Sequence, residues 1–285
     1  MKKIGFITCQ EYAQLDTDEH HLFPLFEAAG LKIIPIIWDQ PIDYEAFDLL
    51  VFRSAWDYHH KPTAFFNWLQ ELKQIKTPIA NPISIIEENY DKYYLKTYQD
   101  KGFPIIPTLF FDTVKNLDLA KIMSEMNWER GVIKPAISMS AYHTYSFDPT
   151  NYKTIQSQLT TFYGATKVMV QKFAPEITSV GEWSLVFFDK QYCMSALKTP
   201  KKGDFRVQSE LGGTIVYPEP PAHIIAEAKA ILDSYEEDIL YARMDGIIHN
   251  NHFQLMEAEL IDPELYFRSG KKGRKAFLEA VLKRI

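Results

Sequence analysis

Residues 253–267 read FQLMEAELIDPELYF, an apolar stretch that carries four carboxylates. They are Glu257, Glu259, Asp262 and Glu264. Burying an unpaired carboxylate is very costly, so a strand that feeds a core normally keeps such groups off its buried face. In an extended chain Glu257 and Glu259 point to one side, whereas Met256, Ala258 and Leu260 point to the other. Two like charges side by side repel each other unless a cation lies between them.

A second strand, YARMDGII, precedes this stretch and is joined to it by a turn-forming HNN connection. A hairpin centred on Asn251 places Asp245 opposite Glu257 and Arg243 opposite Glu259. Three carboxylates then converge on one face, which is the oxygen-only environment that Mg²⁺ prefers. The alternatives are that these acids lie on a solvated sheet face or that they pair with Arg243, and a register slip of one residue would also separate the carboxylates.

Two lysines stand where phosphate groups could bind. Lys134 in GVIKPAIS ends a β-rich run before a loop, where it can reach a phosphate while backbone N–H groups of the loop cover it. The loop contains Ser138, Ser140 and Thr144 but no glycine, unlike the usual phosphate cradle. Lys92 in NYDKYYL lies near a helix start. For both lysines the alternative is an ordinary solvated side chain.

The segment VMVQKFAPEI predicts a strand that leaves into a short connection between two lobes. Such a connection can offer backbone groups to an adenine edge, and the candidates are Gln171, Lys172, Phe173 and Ala174. Glu176 or Glu182 would supply an acid for a ribose. The alternative is a strand that simply ends at a proline turn.

Two further groups of polar residues complete the candidate site. In ALKTPKKGDFRVQ, Lys198 and Arg206 could stabilise negative charge that grows on a transferring phosphoryl group or a tetrahedral centre, or the segment could be a solvated basic loop. Arg53 and Asp57 in FRSAWDY lie just beyond a buried strand, where α/β folds commonly bind ligands. Asp262 and Glu264 follow a strand end, either as a substrate-side pair or as a structural pair.

Composition narrows the functional classes. The chain has 285 residues and a net charge of −6, so a broad electrostatic surface for nucleic acid is not expected. Two cysteines are too few for a disulfide framework. We find no signal peptide and no apolar run long enough for a membrane span, and therefore expect a cytoplasmic protein. Walker, nucleophile-elbow and Rossmann glycine motifs are also absent from the sequence.

The order of elements predicts an α/β unit followed by a larger α+β unit. Strands and helices alternate up to about residue 80, which favours a parallel sheet covered by helices. Short strands dominate from residue 110 onward. We place the boundary between residues 85 and 86, giving units 1–85 and 86–285, with a central small lobe at about 104–173.

Each signal is weak singly, but their order along the chain resembles that of ATP-grasp enzymes. The segments RSAWDY, NYDKYYL, VIKPAIS, GDFRVQ and MEAELIDPELYF together are similar to the D-cycloserine synthetase-like branch, among relatives of prokaryotic glutathione synthetase. The resemblance covers nearly the whole chain. It implies an α/β pre-ATP-grasp domain followed by a two-lobed α+β ATP-grasp domain, whose lobes hold ATP.

The resemblance also implies roles for the candidate residues. Those for nucleotide binding are Lys92, Lys134, Ser140, Gln171, Lys172, Phe173, Ala174 and Glu182. Asp245, Glu257 and Glu259 would hold Mg²⁺, with Mn²⁺ as a substitute. Glu259 stands at the position where glutathione synthetase-like enzymes have Asn as the last metal ligand. Arg206, with Lys198 nearby, would be catalytic, and the glycine-poor loop departs from the family pattern.

The leading hypothesis is a carboxylate–amine ligase or cycloligase that uses ATP and Mg²⁺ and an acylphosphate intermediate. Its substrates would be a small amino-acid-like carboxylate and an amine, chosen in part by Arg53 and Asp57. The rivals are a small-molecule kinase of the same fold and a non-catalytic nucleotide-binding sensor. We expect neither nucleic acid nor a membrane as a partner. Dimers are common among the proteins that this chain resembles, but the sequence does not decide whether it forms a homodimer.

Overall fold

The computed structural model describes residues 1–139, 141–207 and 211–285. Within these ranges the strands form three separate sheets, one near the N-terminus, one in the middle of the chain and one in its last third. In the part of the chain that is described, no helix combines the length and apolarity required to cross a membrane.

The first sheet is parallel, as predicted, with strand order β2-β1-β3-β4. Its strands are β1 (Lys2–Thr8), β2 (Leu31–Ile37), β3 (Leu49–Ser54) and β4 (Ile79–Ala80), and the helices are α1 (Phe23–Ala28), α2 (Pro62–Leu72) and α3 (Ile83–Tyr90). Every residue of β3 is buried, which is typical of a parallel strand covered on both faces. The chain leaves α1 through Gly30, whose φ of +77° suits glycine.

The second sheet is antiparallel, with strand order β5-β8-β6-β7. Its strands are β5 (Thr108–Phe111), β6 (Gly131–Pro135), β7 (Tyr145–Phe147) and β8 (Val168–Lys172), and its helices are α5 (Leu119–Met126) and α6 (Tyr152–Tyr163). Helix α4 (Tyr94–Asp100) precedes them in the chain and packs mainly in the apolar cluster of the third sheet. Asp118 caps α5 by accepting a hydrogen bond from the Lys121 N–H at 3.0 Å.

The third sheet is also antiparallel, with strand order β11-β10-β9-β12-β13. Its strands are β9 (Glu182–Phe188), β10 (Gln191–Thr199), β11 (Thr214–Val216), β12 (Tyr241–His249) and β13 (His252–Glu259), and the helices are α7 (Glu176–Ser179), α8 (Ala222–Asp233) and α9 (Lys271–Leu282). The proposed boundary at residues 85/86 falls inside α3, and the division into units with a small lobe at about 104–173 stays a prediction.

The first unit packs closely against the last sheet. Phe6 of β1 and Phe277 of α9 make an edge-to-face contact with ring centroids 6.2 Å apart, inside one buried apolar cluster. Asn81 spans the same junction: its Nδ2 donates to the Tyr241 and Leu260 carbonyls at 2.9 and 2.7 Å, and its Oδ1 accepts from the Leu240 N–H at 2.7 Å. These contacts join the first unit to the third sheet.

Candidate functional site

A cleft of about 420 Å³ lies where the three sheets meet. The structure brings most of the predicted site residues to its lining: Lys92, Lys134, Gln171, Lys172, Ala174, Glu182, Lys198, Arg206, Asp245, Glu257 and Glu259. They come from all parts of the chain between α3 and β13, so the cleft collects residues that are far apart in sequence. Ser140 lies outside the described residues.

The β12–β13 hairpin has the pairing that the sequence predicts. Asp245 lies opposite Glu257, and Arg243 opposite Glu259. The tight turn alone, which pairs His249 with His252, would put Asp245 opposite Met256. A β-bulge between Asp245 and Gly246 shifts the register by one residue and restores the pairing.

The same bulge corrects one detail of the expected alternation. Met256 does not point away from the two glutamates but lines the cleft beside them. It packs against a buried apolar cluster that includes Ala174 and Ile247. Because β-bulges re-aim side chains, the extra residue on β13 adds an apolar surface to a wall that is otherwise acidic.

Arg243 occupies the centre of the acidic wall. Its guanidinium donates to both oxygens of Asp245 and to one oxygen of Glu259, and its Nη1 donates to the Glu264 carbonyl at 3.1 Å. Burial raises the pKa of Glu259 to about 8; Arg243 opposes this shift and Asp245 adds to it. Sequence reasoning treated Arg243 only as an alternative partner of the acids, although the hairpin register already placed it in the site.

Lys198 joins two of the predicted acids. Its Nζ lies 2.5 Å from Glu182 on the neighbouring strand β9 and 3.5 Å from Asp245. Burial alone would lower the pKa of Lys198, but Asp245 and Glu182 outweigh it and the pKa is raised. Burial also raises the pKa of Glu182, against the effect of Lys198. Lys198 is therefore held as a cation on the floor of the cleft.

Lys92 and Lys134 lie close to Glu257 in the cleft. The Nζ of Lys92 lies 3.1 Å from Glu257 and also donates to the Ser138 carbonyl at the start of the loop after β6. Lys134 is buried, and burial lowers its pKa; Lys92 adds to this effect and Glu257 opposes it. Two lysines and one glutamate thus meet beside the loop that was expected to cover phosphates.

The connection after β8 provides an apolar recess. Gln171, Lys172 and Ala174 line the cleft, and Ala174 belongs to the buried cluster that contains Met256. Phe173 points elsewhere: its ring lies under the Arg130 guanidinium, 3.9 Å from the ring centroid, and does not line the cleft. Any adenine contact from Phe173 would therefore come from its backbone.

Arg206 lines the cleft from the loop between β10 and β11. Its guanidinium makes a two-point contact with Asp204, at 3.1 and 2.8 Å, and is partly exposed. This pairing lowers the pKa of Asp204. The contact is local, so Arg206 is not required to hold distant elements together.

Arg53 and Asp57 do not support the substrate roles expected of them. Arg53 is almost fully buried and donates to Glu19 at 2.7 Å. Asp57 accepts from the Trp38 indole at 2.6 Å and lies 2.8 Å from Lys61. Neither side chain lines the cleft. Asp57 lies beyond β3 as predicted, but Arg53 lies within that strand, and neither side chain points into the cleft as expected.

The loop after β3 nevertheless contributes to the cleft through aromatic residues. Trp56 and Tyr58 line it, together with Tyr12 from the loop after β1 and Tyr266 from the segment after β13. The sequence analysis did not name Trp56 and Tyr58 as site residues. Their position after a buried strand, the signal used for Arg53 and Asp57, applied equally to them.

The donor set on the hairpin fits a hard divalent cation. Asp245, Glu257 and Glu259 supply only carboxylate oxygens, and all three line one cleft. In the described part of the chain, however, no three or more His, Cys, Asp or Glu side chains are grouped closely enough to hold a metal, and Arg243 and Lys92 pair with the acids instead. The residue types fit Mg²⁺, whereas their present arrangement is that of ion pairs.

Comparisons with known proteins agree with this description. Residues 4–81 match the family model described as the N-terminal domain of D-cycloserine synthetase DcsG. The cycloserine biosynthesis protein DcsG of Streptomyces lavendulae is 23% identical over 184 residues, which are 61% of this chain and 60% of that protein. The chain thus aligns with about 60% of the length of this curated relative.

Three solved structures are similar over almost their whole length. D-cycloserine synthetase DcsG has a TM-score of 0.87 and 19% identity, with 99% of each chain covered. D-alanine–D-alanine ligase from Bacillus anthracis complexed with ATP has a TM-score of 0.68 and 14% identity, covering 100% of this chain and 97% of that one. The ATP-grasp ligase PsnB, complexed with a precursor variant, Mg and ADP, has a TM-score of 0.67 and 11% identity, covering 99% and 98%.

The chain therefore has the ATP-grasp fold, a mixed α/β architecture of several sheets, as the sequence predicted. Within that fold it resembles the D-cycloserine synthetase-like branch, which is also confirmed.

Proposed function

We propose that this protein is an ATP- and Mg²⁺-dependent carboxylate–amine ligase or cycloligase for a small amino-acid-like substrate, acting through an acylphosphate. The single observation that carries the proposal is the hairpin pairing of Asp245 with Glu257 and of Arg243 with Glu259 in a cleft that also holds Lys92 and Lys134. Metal-type acids and phosphate-type cations thus line the same cavity. The ATP-bound and Mg- and ADP-bound relatives support the choice of cofactors.

The nucleotide would lie between the second and third sheets. Its adenine would enter the recess formed by Ala174 and Met256, with backbone groups of residues 171–174 at its edge. Lys92 and Lys134 would contact phosphates, with the loop that contains Ser138 and Ser140 above them. Glu182 would accept from the ribose hydroxyls once Lys198 turns toward the reacting groups.

Mg²⁺, with Mn²⁺ as a substitute, would be held by Asp245, Glu257 and Glu259 and would neutralise charge on the phosphates. A substrate carboxylate oxygen would then attack the γ-phosphorus while the bond to the β-phosphate oxygen breaks, which releases ADP. An amine would attack the resulting acyl carbon, lose a proton and expel inorganic phosphate. Lys198 and Arg206 would stabilise the phosphoryl and tetrahedral oxygens in these steps.

The test is Mg²⁺-dependent ADP release across a panel of D- and L-amino acids and small carboxylates, with hydroxylamine present to trap an acylphosphate. ADP release that depends on one carboxylate, with formation of its hydroxamate, is the expected result. A stable phosphate ester would instead indicate the small-molecule kinase. Nucleotide binding without ADP release across the panel would contradict the ligase and favour the sensor.

The proposed partners are a small-molecule carboxylate and an amine, with neither nucleic acid nor membrane involved, in the cytoplasm. Size-exclusion chromatography with light scattering would test whether the protein is a homodimer. Fractionation of the producing cells would test the compartment.

A further inference from the structure

Asp262 is a buried acid of the cleft that the proposed mechanism does not use. It is 3% exposed and lines the cleft. Its Oδ2 has no hydrogen-bond partner among the residues that the structure describes. Among the described residues it also forms no salt bridge, unlike Asp245, Glu257 and Glu259.

The backbone around Asp262 is fixed by three consecutive carbonyls. The Ile261 carbonyl accepts from the Tyr241 hydroxyl at 2.5 Å. The Asp262 carbonyl accepts from the Trp56 indole at 2.8 Å, and the Pro263 carbonyl accepts from Arg53 Nη2 at 2.9 Å. A carboxylate carried by so constrained a segment is held ready for a ligand, as a binding site requires.

Arg53 is the cation with the largest effect on the pKa of Asp262, but it donates no hydrogen bond to the Asp262 carboxylate. Arg53 directs its Nε to Glu19 at 2.7 Å and its Nη2 to the Pro263 carbonyl. It therefore lowers the energy of a charged Asp262 through space but gives it no hydrogen bond. A buried carboxylate oxygen without a partner is costly, so a donor that arrives with a ligand would be favoured there.

The surroundings of Asp262 suit a small cation. Trp56, whose indole binds the Asp262 carbonyl, makes an edge-to-face contact with Tyr12 at a centroid distance of 4.8 Å. Tyr58 lines the same wall, and the charge on Asp262 contributes to raising its pKa, after burial. Aromatic faces next to a carboxylate are an environment that binds ammonium groups well.

We propose that Asp262 binds the ammonium group of the amino-acid substrate, and so determines specificity for an amine-bearing carboxylate. The proposal rests on the proposed function for the identity of the ligand as an amino acid. Asp262 lies three residues after Glu259, a distance of at most about 10 Å along the chain. A small amino acid held there by its ammonium can present its carboxylate to the acids and cations of the hairpin.

The inference can be tested by binding as well as by turnover. Calorimetry would measure binding of D- and L-alanine, D- and L-serine and their des-amino analogues, propionate and 3-hydroxypropionate, to the whole protein saturated with Mg²⁺ and a non-hydrolysable ATP analogue. ADP release would be measured with the same compounds. Asp262→Asn keeps the shape of the side chain, and Asp100→Asn, an exposed aspartate at the end of α4, is the matched control.

We expect at least one amino acid to bind wild type and its des-amino analogue to bind roughly 10- to 100-fold more weakly, the usual range for a hydrogen bond to a charged group. Asp262→Asn should remove most of this difference and raise KM for the amino acid by a similar factor, with KM for ATP unchanged. Asp100→Asn should leave both constants unchanged.

Separate outcomes distinguish this inference from the proposed function. Equal binding of an amino acid and its des-amino analogue by wild type, or no binding of any amino acid, overturns the ammonium site whatever the variant does. ADP release under those conditions would leave the ligase intact. Amino-acid binding that depends on Asp262, without ADP release, would support the ammonium site and contradict the proposed ligase activity. The wild-type comparison stands even if the Asn variant does not fold.

Discussion

Asp245 and Glu257 are cross-strand partners on β12 and β13, yet each is paired with different cations. Asp245 contacts Arg243 and Lys198, whereas Glu257 contacts Lys92. Arg243 and Lys198 thus neutralise the charge of Asp245, and Lys92 neutralises that of Glu257. We expect a bound metal to displace Arg243, Lys198 and Lys92 from the carboxylates. These three side chains would then be available to bind phosphate oxygens.

Replacing Glu257 by Gln should abolish Mg²⁺-dependent ADP release, with a loss of at least about 100-fold. The reason is the removal of one charged oxygen ligand at constant side-chain shape. Steady-state ADP release over a range of Mg²⁺ concentrations is the measurement. Glu279→Gln, at an exposed position of α9, is the matched control. Unaffected activity of Glu257→Gln would exclude this residue as a metal ligand.

Lys198→Met should destabilise the protein, by on the order of 3 kcal/mol, because it leaves Glu182 and Asp245 without their shared cation. Urea denaturation would measure this loss. Adding Glu182→Gln should recover part of the stability, as a double-mutant cycle can show. Lys121→Met, which removes an exposed helix pair, should cost less than about 0.5 kcal/mol. A Lys198 variant as stable as wild type would mean that the buried pairs do not support the fold.

Arg206→Ala should separate activity from stability. The side chain is partly exposed and pairs with Asp204 in its own loop, so the change in unfolding free energy should stay below about 1 kcal/mol. ADP release should fall by roughly 100-fold or more if Arg206 stabilises transferring oxygens. Lys202→Ala, an exposed cation in the same loop, is the control. Equal activity of the two variants would remove Arg206 from the mechanism.

The stability of the protein should depend on the protonation of Asp262. Burial raises the pKa of Asp262 to about 7; Arg53 opposes the shift, Glu19 adds to it and Arg243 opposes it. The folded state therefore binds this proton more tightly than the unfolded state. The resulting stability is fully present below about pH 4 and is lost as pH rises through about 7.

Urea denaturation from pH 4 to pH 8 would measure this loss in wild type and in Asp262→Asn. We expect the variant to lose less stability over this range, by on the order of 2 kcal/mol. A slope should remain, since burial also raises the pKa of Glu19 to about 7 and that of Glu259 to about 8. Identical pH profiles for wild type and variant would show that Asp262 does not titrate in this window.

The features that sequence reasoning placed correctly are those set by local periodicity. Alternation along a strand and a turn of polar residues were enough to pair Asp245 with Glu257, although the actual turn is tighter and needs a bulge to reach that register. Strand–helix alternation likewise predicted the parallel first sheet. Both features follow from the pattern of residues within short segments of the chain, so the sequence was enough to predict them.

The features that sequence reasoning missed depend on contacts between distant residues. Arg53 lies near the carboxyl end of the buried strand β3, where ligand-binding residues often lie, but its side chain reaches Glu19 and the Pro263 carbonyl instead. Phe173 likewise turns to Arg130. In both cases a partner remote in sequence determines the direction of the side chain, and periodicity contains no information about that partner.

The contacts of Asn81 also predict how the protein responds to a cut in its chain. The Asn81 side chain binds the backbone at Leu240, Tyr241 and Leu260, and the apolar cluster behind it is shared by β1 and α9. Cleavage of the chain within α3, near residues 82–90, should therefore not release the first 80 residues. The two fragments should stay together through gel filtration and part only on denaturation, because the first unit and the last sheet share a core.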